Sequence, residues 1–590
     1  MTARWGWFLA VPLLISLAMT VGTQFIFLEK SFFRELGFGA TGAWVGFANY
    51  AAALQKPLYV NSVVTTLRVA AAATLGCLVL GYPLAYVIAR ATGRSAMIML
   101  SGILLTSLVS APIKVLGLII IFSKEGMLNH FLLWSGLASS PISLLGTELG
   151  VIVGLIYYSL AFAVLLLYSV IRTIPLVLED AAAILGSGRM RVFLRVVIPL
   201  SLPGVFAVGM TVFSLSMGAF AAAALMGGGR VLTLPVLIYQ TIFIETKYAT
   251  ASTLAAILLM LVLLVNLVAG LMTSAFTAKS RRRSNARQWS SVAREAGSFW
   301  LLRTPLPLRL RSSLRVVGKA VSVAWIVWAY LLLFAPLLVI VGASFNGGSF
   351  RAGAIVFPPR HFSLDWYMST PASHVYAFGV SIALALVSTL LACVIAIPAG
   401  LGLVRTQMPG REAVAALFRI PLQVPVVIIG LAFFYTYYAV YDAVGISLAG
   451  TFAGLVIAHF FILSPFVVGS VAAVLQRFDE RLEEAAASLG AGRWRTFRRV
   501  TLPVIMPGLF AGASYAFMVS FGDVPVSLFL AGADMTTFPV AIFHSMDMDF
   551  DTRVLSSSTM AMAFGLVLLL LVQKLIGLDR LAHSQIGANG

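Results

Sequence analysis

The chain has 590 residues, 60% of them hydrophobic and 10% charged, with a mean hydropathy of +0.99 and a formal net charge of +19. A soluble domain carries about 25% charged residues, so this composition excludes a water-soluble fold and makes membrane lipid the solvent. The positive charge is then no sign of nucleic acid, and its placement along the chain matters more than its sum.

The N-terminus has Arg4 and then runs apolar from Gly6 to Phe27. A cleaved leader has an apolar region of about 7–15 residues, so this longer run reads as an uncleaved first span. Stretches long enough to cross a bilayer as helices follow. The predicted spans are 6–28, 62–89, 97–122, 149–171, 203–226 and 251–274, then 320–343, 376–404, 415–440, 450–474, 507–531 and 556–576. This is an all-α integral membrane fold of twelve transmembrane helices in two sets of six. Cys77 and Cys393 each sit inside an apolar run and read as inert buried thiols.

With the N-terminus in the cytoplasm, about 29 of the 40 Lys and Arg fall in cytoplasmic segments and about 9 on the opposite side. The positive-inside rule therefore predicts that both termini are cytoplasmic. Arg68 and Lys114 fall within spans, Arg68 near an outer end where its side chain can snorkel to the interface. Residues 277–319 form a basic cytoplasmic linker against anionic head groups, between a first half (1–276) and a second half (320–590).

The halves are related by sequence. Leu178–Gly204 (LEDAAAILGSGRMRVFLRVVIPLSLPG) and Leu482–Gly508 (LEEAAASLGAGRWRTFRRVTLPVIMPG) are identical at sixteen of 27 positions, at a constant offset of 304. A weaker match at offset 315 pairs Pro83 with Pro398 and Arg90 with Arg405. Six spans per repeat give both halves the same orientation, so the repeats are parallel and a translocation path belongs between them.

The repeated 27-residue segment reads as a short helical hairpin between the fourth and fifth spans. Glu179 and Asp180, or Glu483 and Glu484, occupy a first turn, and three alanines give a slim face. Gly186 and Gly490 reverse the chain, a basic segment follows, and Pro199 with Pro203, or Pro503 with Pro507, ends that segment at the bilayer. Glu-Ala-Ala, three more residues, Gly and a downstream Ile-Pro or Leu-Pro resembles the coupling loop of ABC importer permeases of type I, with Asp180 and Glu484 inserted after the first acid. The resemblance covers both halves, with coupling loops at 178–204 and 482–508. It implies a bacterial inner-membrane permease whose ATP and Mg are held by two copies of a separate cytoplasmic ATPase subunit, and which takes solute from an external binding protein. It also implies that Glu179, Ala181, Ala182 and Gly186, with Glu483, Ala485, Ala486 and Gly490, form the ATPase-coupling sites.

No Walker-type phosphate loop, metal-ligand cluster or nucleophile–base motif is legible, so the chain reads as the partner of an enzyme, with no cofactor of its own. The segment Ser520-Phe521-Gly522-Asp523-Val524-Pro525-Val526-Ser527 resembles the fifth-span region of polyamine (spermidine/putrescine) permeases, with Gly522 in place of the first member of their acidic pair. Asp523, hydrogen-bonded by water or by Ser520 or Ser527, is the candidate contact for a cationic solute, whereas Lys114 in the path would favour anions. Fusion of two permeases in one chain resembles the related importers of 2-aminoethylphosphonate, iron(III) and thiamine, so the resemblance implies a polyamine or 2-aminoethylphosphonate permease, with iron(III) and thiamine as alternatives. The outer acids Asp547, Asp549 and Asp551 are candidates for contacting a binding protein. A major-facilitator-type secondary transporter, the rival of another class, needs an acidic loop after its second span, but Arg90–Ser95 and Arg405–Arg411 contain no acid.

Overall fold

The computed structural model describes residues 5–283, 308–347, 357–359, 361–406, 409–547 and 551–576. The first half runs α1 (Trp5–Leu17), α2 (Thr23–Lys30), β1 (Phe33–Gly37), β2 (Ala40–Trp44), α3 (Ala48–Gln55), α4 (Pro57–Arg90), α5 (Gly93–Leu108), α6 (Ala111–Phe122) and α7 (Met127–Trp134). It continues with α8 (Glu148–Arg172), α9 (Leu176–Ile184), α10 (Arg189–Val192), α11 (Ile198–Met217), α12 (Ala221–Gly227), α13 (Leu234–Phe243) and α14 (Tyr248–Arg283). The second half runs α15 (Leu308–Ala343), α16 (Asp365–Met368), α17 (Ala372–Arg405), α18 (Arg411–Arg419), α19 (Val426–Val444) and α20 (Phe452–Leu475). It ends with α21 (Arg481–Ser488), α22 (Arg493–Thr496), α23 (Leu502–Gly522), α24 (Pro525–Leu530), α25 (Phe538–Asp547) and α26 (Val554–Ile576). Of the predicted linker, residues 284–307 lie outside the described residues.

Eleven of the described helices are long and apolar enough to cross a membrane, and the pair Gly93–Leu108 and Ala111–Trp134, bent by 96°, makes twelve. The predicted count and the six-plus-six division agree with this. The repeat extends to local devices. Thr147 and Thr451 cap α8 and α20, each accepting from the backbone N–H three residues on at 3.1 Å. The halves interlock through their first spans. α1 packs on α17 of the other half, with Leu9 against Gly402, and α15 packs on α6, with Gly117 against Pro336, while the Tyr157 hydroxyl of α8 donates to Leu333 O on α15 at 2.9 Å.

Three departures from the predicted spans have local causes. First, the third and fifth spans are broken. Pro112, second in α6, has no N–H for a helical bond, and Ser110 is extended (ψ 153°). In the second half Pro425 is extended before α19, and Asp523 (ψ 136°) separates α23 from α24. Interrupted backbone at membrane depth is tolerated where protein buries it or a cavity exposes it, and here the breaks meet between the halves. Gly218, after α11, lies so close to Pro425 that a Cβ there would be 2.9 Å from the proline Cβ, while Gly522 faces Ser110 at 3.7 Å. Second, Pro199, Pro203, Pro503 and Pro507 do not end their helices. A wide π turn at Phe193–Val197 and at Phe497–Thr501 absorbs the missing proline donors, with Ile198 N bonded to Phe193 O and Leu502 N to Phe497 O. Third, a two-stranded hairpin, β1 with β2, follows the first span of this otherwise helical chain. Gly37, Phe38 and Gly39 all have positive φ at its turn, and Glu35 fastens it to α14 by accepting from Thr250 N at 2.9 Å. Arg68, expected to snorkel, also pairs with Glu148 at 3.1 Å.

Candidate coupling and translocation sites

The short helices α9 and α21 are built alike. Each ends on a glycine in the left-handed region, Gly186 at φ +82° and Gly490 at φ +80°. Gly186 N bonds to Ala183 O at 2.9 Å and Ser187 N to Ala182 O at 3.0 Å; Gly490 N bonds to Ala487 O at 2.9 Å and Ala491 N to Ala486 O at 3.0 Å. These two bonds are the Schellman closure of a helix C-terminus, which requires a left-handed residue and favours glycine there.

Neither helix has a buried residue, and each has two faces. Glu179 and Ala182, like Glu483 and Ala486, turn toward the helix's own half and are half-buried, while Ala181 and Ala485 are exposed. The outward surface is apolar: Ile184 is 86% exposed, Leu185 85% and Leu489 89%, with Met190 and Trp494 following. Large exposed apolar side chains clustered at a helix end, rimmed by acids and arginines, mark a contact surface.

The glutamates are held to the long helices α4 and α17. Arg90, the last residue of α4, donates from Nε to Glu179 Oε1 at 2.7 Å, and the Tyr86 hydroxyl donates to Oε2 at 3.0 Å. Arg405, the last residue of α17, makes a bidentate pair with Glu483 at 2.7 and 2.9 Å, and the Thr501 hydroxyl donates to the same carboxylate. A planar guanidinium meeting a carboxylate along two parallel bonds fixes orientation as well as distance. Sequence reasoning matched Arg90 with Arg405 as a repeat pair but did not join them to Glu179 and Glu483. Both arginines close a long apolar helix, and that was the available signal.

The second cluster lies where the broken helices meet. Asp523 is buried, and its Oδ2 accepts from Ser527 N at 2.9 Å and from the Ser527 hydroxyl at 3.2 Å, fixing the first turn of α24. His459 on α20 stands with Nε2 3.0 Å from Ser527 Oγ and Nδ1 2.8 Å from Ser520 Oγ. With Ser527 donating to Asp523, the proton of His459 belongs on Nε2, and Nδ1 accepts from Ser520. Thus Asp523 and Ser520 share one network through His459, a residue that sequence reasoning passed over among scattered histidines. Lys114 is not hydrogen-bonded into this network: it is buried on α6, one turn beyond Ser110, with Nζ 5.8 Å from the centre of the Tyr158 ring. At offset 304 the first half has Leu155, Ser216, Ala219 and Ala223 in place of His459, Ser520, Asp523 and Ser527. Ser216 Oγ, deprived of a histidine, is buried with no hydrogen-bond partner among the described residues.

On the opposite side of the molecule Asp551 pairs with Arg553 at 2.6 Å. Burial pushes its pKa up, but hydrogen bonds and charge from Arg553 outweigh that and hold the carboxyl below the ordinary carboxylate value. Asp549 lies outside the described residues.

The sequence profile of the family described as "Binding-protein-dependent transport system inner membrane component" matches twice, over residues 79–282 and 392–578. The spermidine/putrescine transport system permease protein PotB of Salmonella typhimurium (strain SL1344) is 36% identical over 225 residues, covering 38% of this chain and 75% of that protein. PotB of Escherichia coli (strain K12) is also 36% identical over 225 residues, covering 38% of this chain and 78% of that protein. The putrescine transport system permease protein PotI of Escherichia coli (strain K12) is 28% identical over 260 residues, covering 43% and 91%. Among solved structures, a bacterial ABC transporter involved in the import of the acidic polysaccharide alginate aligns at 18% identity with a TM-score of 0.39, covering 45% of this chain and 94% of that one.

Proposed function

Since the chain belongs to the family of binding-protein-dependent transport system inner membrane components, with two permease halves in one polypeptide, we propose that it carries polyamines across the bacterial inner membrane. The observation that supports this substrate class is the 36% identity to permeases named for spermidine and putrescine. The solute arrives from an external binding protein. The coupling helices α9 and α21 and both termini face the cytoplasm, where two copies of an ATPase subunit dock and hold the ATP and Mg. Residues 1–276 and 320–590 are the halves, and 277–319 the basic linker between them.

In this reading Gly186 and Gly490 shape the ends of the docking helices, and Ala181, Ala182, Ala485 and Ala486 keep them slim. Ile184, Leu185 and Leu489 enter the ATPase surface. Glu179 and Glu483 hold each docking helix to its half. Asp523, Ser520 and Lys114 are the candidate path residues. Their support is their position: all three are buried in the broken helices α5–α6 and α23–α24, which meet at the contact of Ser110 with Gly522, and interrupted membrane helices at a repeat interface are where transporters bind solute. The asymmetric acid, present in one half only, suits a small asymmetric cation. ATP-driven uptake into proteoliposomes carrying the permease, its ATPase and its binding protein tests this with labelled spermidine and putrescine. Uptake of thiamine, iron(III) or 2-aminoethylphosphonate with no polyamine uptake would overturn the substrate class and leave the family assignment in place.

A further inference from the structure

The coupling helices are fastened to α4 and α17, and the other ends of those same helices are fastened too. Thr66 Oγ1 on α4 accepts from Leu234 N, the first residue of α13, at 2.8 Å, and Ser381 Oγ on α17 accepts from Phe538 N, the first residue of α25, at 2.8 Å. Both hydroxyl residues are buried. From Thr66 to Arg90 is 24 residues (90 − 66), and from Ser381 to Arg405 is also 24 (405 − 381). At 1.5 Å per residue each pair of attachments is about 36 Å apart, more than the thickness of a hydrocarbon core. α4 and α17 each run 34 residues, continuous through one proline, Pro83 and Pro398.

The helices held at the far ends close the seam there. Aromatic rings cross between the halves: Phe220 lies 5.4 Å from Phe543, Tyr239 6.5 Å from Phe543, and Phe243 5.3 Å from Phe529, centroid to centroid. At the coupling end the ion pairs are well shielded, with side chains of Arg405 and Glu483 6% and 23% exposed, and Arg90 and Glu179 14% and 13%. A buried ion pair adds little net stability over an apolar contact, so its use in both halves is better explained by a fixed relation between two elements. The pairing also survives a change in the chain between its members. Arg90 and Glu179 are 89 residues apart, Arg405 and Glu483 only 78.

From these paired attachments we propose that α4 and α17 are transmission rods, and that Arg90 and Arg405 are positioning residues that make the far-end aromatic seal move with the coupling helices. The proposal rests on the docking of an ATPase to α9 and α21. When the ATPase subunits close, the coupling helices carry their glutamates, the arginines carry the rods, and Thr66 and Ser381 draw the N-termini of α13 and α25, parting the rings between the halves. Sites this distant are coupled through rigid elements with two arrangements, and each rod is one unbroken helix.

The test uses the full chain reconstituted with its ATPase and binding protein, and reads three quantities: ATPase subunit retained on purification, ATP hydrolysed, and spermidine taken up per ATP. Arg405→Glu alone is expected to lower uptake per ATP by about tenfold, within the range that substitutions along a coupling network produce. Arg405→Glu with Glu483→Arg restores it. Ser381→Ala, far from the docking surface, lowers uptake per ATP while retention and hydrolysis stay at wild-type levels. Normal uptake per ATP in Ser381→Ala overturns the rod. If Arg405→Glu sheds the ATPase or lowers protein level and the double exchange does not bring uptake back, the arginine only shapes its loop and the proposal is overturned. If the wild-type chain retains no ATPase at all, the docking reading has failed and the rod falls with it.

Discussion

Valine at Gly490 isolates the effect of the reversal at the end of α21. A Cβ at this position meets nothing within 4 Å, so the substitution adds no clash, and its whole cost is conformational. An L residue in the left-handed region costs about 1–2 kcal/mol. That energy moves the balance between the closed Schellman end and an opened one by about 5- to 30-fold. Opening releases two backbone bonds, Gly490 N to Ala487 O and Ala491 N to Ala486 O, and re-aims the exposed Leu489 that precedes the glycine. The site is exposed, so membrane insertion and protein level should be unchanged. Gly492 supplies the control: its φ is −66°, and a Cβ there also meets nothing within 4 Å. The assay is solute-stimulated ATP hydrolysis with uptake in proteoliposomes, Gly490→Val against Gly492→Val. The expected result is a several-fold loss of stimulated hydrolysis and uptake for Gly490→Val and near wild-type values for Gly492→Val. Equal behaviour of the two variants would refute the reasoning, because the left-handed backbone is the only relevant difference between them. Gly186→Val, at φ +82°, is expected to act in the same direction on the first half.

Leu489→Glu replaces a side chain whose full burial is worth about 1.5–3 kcal/mol; it should weaken ATPase retention by at least tenfold in a pull-down, and wild-type retention would show that Leu489 stays in solvent. Asp523→Asn keeps an acceptor for Ser527 N but removes the charge, so uptake of spermidine per molecule of protein should fall at unchanged abundance; reduced abundance with intact uptake per molecule would make Asp523 a helix-holding residue only. Arg553→Ala removes a half-exposed pair worth at most about 1 kcal/mol at neutral pH. Because the folded-state pKa of Asp551 lies below its ordinary 3.8, that stabilisation is present above pH 3.8 and is lost as pH falls through the folded value. Thermal melts of wild type and Arg553→Ala should therefore differ by the same small amount from pH 8 to pH 5, and a difference that grew toward pH 5 would contradict the assignment.

Apolar run length, the basic loops and the 304-residue repeat made the twelve spans, the two halves and the hairpins at 178–204 and 482–508 legible in the sequence. What was not legible depends on contacts between distant segments. Arg90 and Glu179 carry no local mark of their pairing, since the fold of α4 against α8 brings them together. His459 sits in an apolar run and gains meaning only beside Ser520 and Ser527. The broken helices at Ser110, Gly218, Pro425 and Asp523 were read as continuous because hydropathy does not register a break that another half of the molecule covers. The prolines at 199 and 503 were read as stops because a wide helical turn accepting them has no signature in composition. The hairpin β1–β2 lies in a stretch too short and mixed for strand periodicity to stand out.

The proposed function requires that one chain present two equivalent docking helices to two ATPase subunits. Native mass spectrometry of the detergent-purified assembly measures this directly. The expected assembly is one 63.1 kDa permease chain with two ATPase subunits, falling to a single subunit or none when Ile184 and Leu489 are both changed to glutamate. A wild-type chain that carries no ATPase, or one whose ATPase content is indifferent to that double change, would contradict it.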